Sequence, residues 1–146
     1  MVKMSVTRST YRRRKQGGRM DLDHRTDETN RRVFMTIGSG VTGAAVARHI
    51  ATITAARPEL AAWDWIQDVR DSSGEVDNGD IETVARAFGR TGPCWTVFVS
   101  HDPNLRLWCR VMDGMFDGRL HLTAATPEAA IRALEGVRSD AGLVVA

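Results

Sequence analysis

Residues 33–50, VFMTIGSGVTGAAVARHI, decide the fold class: a short apolar strand runs into Gly38, Gly40 and Gly43 and then directly into a helix. Strand, glycine turn and helix in immediate succession are the start of a βα unit. The glycines also match G-x-G-x-x-G, the dinucleotide fingerprint in which backbone N–H groups at a helix N-terminus approach a pyrophosphate. A dinucleotide site wants an acidic residue about 20 positions further on, at the end of the next strand, to hold the ribose. Asp64 has the spacing but stands at the start of its strand, and Asp68 stands near the end but further along. Gly38 and Gly40 are therefore read as serving the turn and close packing, and no cofactor is expected.

Working outward, the punctuation is regular. Residues 20–26 are predicted as a first edge strand, 27–30 as a turn and 32–37 as a second strand. Thr42 is placed to cap a helix running to about Arg57, where Pro58 ends it. A buried strand is predicted over 63–69, followed by a polar loop over 70–79 and a helix from near Asp80, in which Ile81, Val84, Ala85 and Phe88 share one face. Gly89 and Gly92-Pro93 are read as the stop, and 94–99 as the next strand. Asp102-Pro103 is read as a cap with proline at the first helical position, opening a helix whose stripe is Leu105, Trp108, Cys109, Met112, Met115 and Phe116. A last strand over 119–123 and the device Thr126-Pro127-Glu128 precede a helix carrying Ile131, Leu134 and Val137. The fold class predicted is α/β, a small mostly parallel sheet of four to five strands alternating with four helices.

Length and charge bound the function classes. At 146 residues and 42% hydrophobic content the chain suits one globular domain. The net charge of +2 hides a division: residues 1–19 hold seven basic residues and no acid, leaving 13 basic against 18 acidic in the rest, a net −5. The reading is a disordered basic tail over 1–19, one domain over 20–138 and a short tail over 139–146, with either Met1 or Met20 as the physiological start. An acidic domain argues against a nucleic-acid partner except through the RRRK block of the tail. The longest uncharged run is too short and glycine-rich for a membrane span, so an integral membrane protein is not expected and the location expected is cytoplasmic. Cys94 and Cys109 stand among apolar neighbours, the pattern of buried reduced thiols, and the four histidines show no metal-ligand spacing.

Laid out this way, residues 33–138 resemble the STAS superfamily, the sulfate-transporter and anti-sigma-factor-antagonist fold, most closely its SpoIIAA-like branch. The resemblance rests on Gly40-Val41-Thr42 opening the first helix, WIQDVR at 65–70, the apolar strand WTVFVS and the closing TPEAAIRAL, in that order and spacing. It implies a non-enzymatic regulatory or ligand-sensing domain that works by docking a protein partner. Antagonists of this family carry a phosphorylatable serine in a D-S-S-G or D-S-x-G motif between the third strand and second helix. Asp71-Ser72-Ser73-Gly74 stands at a comparable place, with Ser73 as the matching acceptor and Ser72 beside it, although DSSG is also a common turn sequence. Some SpoIIAA-like proteins resemble CRAL-TRIO lipid carriers, so a small-molecule or lipid-binding module is the alternative class, and a dinucleotide enzyme a distant one.

Ligands of open α/β sheets bind beyond the carboxyl ends of the strands. That edge is predicted to gather Asp68, Arg70, Asp71, Ser72 and Ser73 after one strand, and Ser100, His101 and Asp102 after the next. Three consecutive residues cannot adopt nucleophile, base and orienter geometry, so Ser100-His101-Asp102 is not read as a triad. The four tryptophans are read as core, with an exposed one marking a partner or lipid pocket.

Overall fold

The computed structural model describes residues 22–73 and 76–140; the predicted basic tail, the start of the first strand and Gly74 and Glu75 lie outside the described residues. Five strands and four helices alternate as predicted: β1 (Leu22–Asp27), β2 (Arg32–Ile37), α1 (Gly43–Ala56), a 3₁₀ turn (Pro58–Ala62), β3 (Asp64–Asp68), α2 (Asn78–Phe88), β4 (Arg90–Val99), α3 (Leu105–Met115), β5 (Asp117–Ala124) and α4 (Pro127–Asp140). The sheet order is β1-β2-β3-β4-β5, with β1 antiparallel to β2 and every later pair parallel. Each βα unit adds its strand beside the preceding one. Among the described residues the strand order never reverses, so they form no topological switch point of the dinucleotide-binding kind.

Local chemistry explains the boundaries. Thr42 Oγ1 accepts the Ala45 N–H at 3.1 Å, and the chain leaves α1 at Arg57 ahead of Pro58. Thr126 Oγ1 accepts the Ala129 N–H at 3.0 Å, with Pro127 in the first turn of α4. Several boundaries differ from the sequence reading, β5 among them, which runs two residues earlier and one later than predicted. α2 starts at Asn78, two residues before the predicted start near Asp80, because Asp77 is the cap and closes a reciprocal capping box with Asp80. β4 starts at Arg90, because Gly92-Pro93 falls in a register irregularity between Arg90 and Cys94 and does not break the strand. α3 starts at Leu105, because Asp102 Oδ1 caps the Asn104 N–H of a preceding turn, leaving Pro103 outside the helix.

The period of two divides the sheet's residues between two layers. Val33, Met35 and Trp65 face α1 and α2 in one core with Ile50, Ile53 and Phe88. Phe34, Ile66, Trp95, Val97 and Val99 face α4 and its Ala130 and Leu134. α4 is clasped to the middle of the sheet by Asp64, a buried carboxylate that takes Arg138 Nε at 2.6 Å and also accepts the Trp95 N–H at 3.0 Å. Of the tryptophans, Trp65 and Trp95 are core as predicted, whereas Trp108 is 40% exposed beside the more exposed Leu107 and Val111 of α3.

Candidate functional site

Between the sheet and α1, α2 and α3 lies a cavity of about 490 Å³, within the size range of small-molecule sites. Its walls are apolar, with Val46 and Ile50 from α1, Ile81 and Val84 from α2 and Met112 and Phe116 at α3. Its floor is not. Gln67, Thr96 and His121 come from β3, β4 and β5 at positions that face the helices, and each is buried. Thr96 and His121 are register partners on adjacent strands; Gln67 stands one row further along, beside Phe98.

His121 is the most constrained of the three. Asp113 of α3 accepts both its backbone N–H, at 2.8 Å, and its ring Nδ1, at 3.0 Å, through the same carboxylate oxygen. A carboxylate acceptor at Nδ1 fixes the proton there and leaves Nε2 as a bare lone pair. Burial pushes the ring pKa down to about 4, against the opposing pull of Asp113. The ring lies between Phe116, edge-on at 4.5 Å, and Phe98, parallel at 6.1 Å. An imidazole held neutral so firmly is a poor proton carrier near pH 7 and a good hydrogen-bond acceptor.

Thr96 is oriented from behind. Arg119, 1% exposed, donates through Nη1 to Thr96 Oγ1 at 2.9 Å and to the Trp95 carbonyl at 3.0 Å. Its Nη2 donates to the Ala61 and Trp63 carbonyls at 2.7 and 2.8 Å, and its plane lies 4.1 Å from the Phe88 ring centre. With its oxygen accepting from Arg119, the Thr96 hydroxyl proton is free to be donated elsewhere. Gln67 is 5% exposed as a residue, and its carboxamide, which makes no hydrogen bond to another described residue, is open to the cavity and not sealed in the core.

The strand-end residues form a rim in part. Arg70, Ser72, Ser100, His101 and Asp102 border the cavity, together with Asp80. Asp68, Asp71 and Ser73 do not. Asp68 grips Arg70 at 2.7 Å, and that hydrogen bond holds its carboxyl below the ordinary carboxylate range. Ser100 Oγ accepts the Asp102 N–H at 3.0 Å and His101 is exposed, so the Ser-His-Asp run pins a loop. Ser73 is exposed and Ser72 half-buried. Asp64, the residue with ribose spacing, is committed to Arg138 on the opposite face of the sheet.

Gln67, Thr96, His121 and Asp113 were not singled out by motif. For Gln67 and Thr96 a signal was nevertheless in the sequence, a single polar letter at an inward position of an apolar strand, in WIQDV and WTVFV; His121 lies on the wholly polar inward face of β5 with Arg119 and Thr123, and Asp113 lies on α3. Among the described residues no cluster of three metal-ligating side chains is present, and no helix is long and apolar enough to cross a membrane. Comparison with family models, with curated proteins and with solved structures gives no match.

Proposed function

We propose that this chain is a non-enzymatic ligand-sensing domain of the STAS-like, SpoIIAA-like kind, in which a small apolar molecule occupies the cavity between the sheet and α1–α3 and a protein partner reads the occupancy. The observation that carries the reading is a cavity of about 490 Å³ with apolar walls and a floor of three polar strand residues, Gln67, Thr96 and His121. A few polar groups set into an apolar lining are what orients a molecule in a small-molecule site. The rim supports a partner-coupled output, because Arg70 and Ser72 lie on the loop that leads into α2, close to Ser73. The pushed-down His121 favours binding over catalysis, since a proton-transfer group needs a pKa nearer the working pH.

The test uses the neutral fluorescent probe N-phenylnaphthylamine with the full chain. Saturable fluorescence enhancement is expected, and Val84→Trp, which fills the cavity from α2, abolishes it while far-ultraviolet circular dichroism stays unchanged. Equal probe binding by the filled variant places the probe elsewhere and refutes the reading.

A further inference from the structure

The floor of the cavity presents a donor and an acceptor side by side, and that pairing selects among ligand chemistries. His121 Nε2 is an acceptor because Asp113 holds the ring proton at Nδ1, 3.0 Å away. Thr96 Oγ1 is a donor because Arg119 Nη1, at 2.9 Å, occupies its acceptor side. The two residues are direct cross-strand partners on β4 and β5, so their side chains stand next to each other on the same face of the sheet. Both are buried, and both line the cavity.

Each ligand head group meets that pair differently. A hydroxyl donates to Nε2 and accepts from the threonine at once. An ether or ketone oxygen accepts from Thr96 but leaves the imidazole lone pair unmet. A carboxylate brings its own lone pairs against Nε2 and must be stripped of water in an apolar chamber, which is costly without a paired cation. Arg119 does not supply that pairing: its two terminal nitrogens already hold three backbone carbonyls and Thr96 Oγ1. An anionic head group left at the mouth meets Asp80 and Asp102 there, with Arg70 already engaged by Asp68.

Resting on the ligand-sensing reading above, we infer that the cavity takes a neutral, mostly apolar molecule bearing a hydroxyl, with the hydroxyl innermost, donating to His121 Nε2 and accepting from Thr96. The Gln67 carboxamide offers a second polar contact one row along the floor, and the apolar walls of α1–α3 enclose the body of the molecule.

Octanol, octyl methyl ether and octanoate share one chain and differ in the head group, so their affinities for the full chain at pH 7.5 test the inference. Octanol binds about tenfold more tightly than the ether and than octanoate, the discrimination of a buried donor and acceptor against a head that cannot serve both. In protein labelled with nitrogen-15 at histidine, the His121 Nε2 resonance moves on adding octanol and stays in place on adding the ether. His121→Phe and, independently, Thr96→Val remove the preference for the alcohol, and either variant suffices if the other folds poorly. Equal affinity for octanol and the ether, or an Nε2 resonance indifferent to octanol, overturns the hydroxyl assignment. If none of the three binds while N-phenylnaphthylamine still does, the hydroxyl class is refuted and the cavity remains a ligand site; if the probe also fails, the ligand-sensing reading itself falls.

Discussion

Replacing Arg119 by methionine removes the guanidinium while keeping an unbranched side chain to pack on Phe88. Four acceptors then lose their donor: the Trp95, Ala61 and Trp63 carbonyls and Thr96 Oγ1. The Trp95 and Thr96 contacts are fully buried, and at about 1.5 kcal/mol for each orphaned group they account for about 3 kcal/mol. The Ala61 and Trp63 contacts are half-buried, and water replaces the donor there. Burial pushes the guanidinium pKa down to about 10, which leaves it charged at neutral pH, and relief of that buried charge offsets part of what the half-buried pair adds. The expected net loss is therefore about 3 kcal/mol, read as a lowered urea midpoint at unchanged slope by tryptophan fluorescence at pH 7.5. Arg119→Lys, whose compact ammonium cannot span both pairs of acceptors, falls between the two. A loss below about 1 kcal/mol for the methionine variant would refute the argument that this residue organises the junction of β4, β5 and the 3₁₀ turn.

Other outcomes follow from the same geometry. Stability falls as pH is lowered from about 6.5 toward 4, because the unfolded His121 takes up its proton in that window while the folded ring resists until about 4; the loss is up to about 3 kcal/mol, and the gap between urea midpoints at pH 7.5 and 5 narrows in His121→Phe. His49, also pushed down to about 4 by burial and by its neighbour His24, contributes in the same direction, and His49→Gln flattens the remaining slope. Gly118→Ala is destabilising by more than about 2 kcal/mol, since φ is +98° and an added Cβ collides with the Thr91 backbone carbonyl, and differential scanning calorimetry measures it. Ser73→Asp leaves stability within about 0.5 kcal/mol because the side chain is exposed, and peptide mapping of protein from its own host finds phosphate on Ser73 rather than on half-buried Ser72.

The architecture was legible wherever one residue type had one physical use. A hydroxyl before a helix, as at Thr42 and Thr126, caps it; Pro58 ends one; the apolar runs of β2, β3 and β4 have nowhere to go but a sheet interior. Boundaries slipped where the cap lay within a long polar run, as Asp77 does, or where a breaker sat in an irregular strand, as Gly92-Pro93 did. The candidate site divided along the same line. The rule that ligands gather at strand ends led to Arg70, Ser72, Ser100, His101 and Asp102, which border the cavity. Its floor was hidden because Gln67, Thr96 and His121 lie far apart in sequence and meet only when register aligns β3, β4 and β5. The Asp113 to His121 bond depends on how α3 lies against β5, which no local pattern encodes.

Because sheet order equals chain order, every strand finds its neighbour among residues already made, and during synthesis each βα unit can dock on its predecessor as it leaves the ribosome. Contacts close in sequence of this sort speed folding. Arg119 reaches back 58 residues to Ala61, and Arg138 further still, across 74 residues to Asp64. Until α4 arrives, a nascent chain leaves Asp64 and a sheet face of Phe34, Ile66, Trp95 and Val97 open to water. The Asp64–Arg138 clasp thus marks the interval in which the emerging protein is most exposed to chaperones and to aggregation, and a ribosome-stalled chain ending before α4 would be held in that vulnerable state.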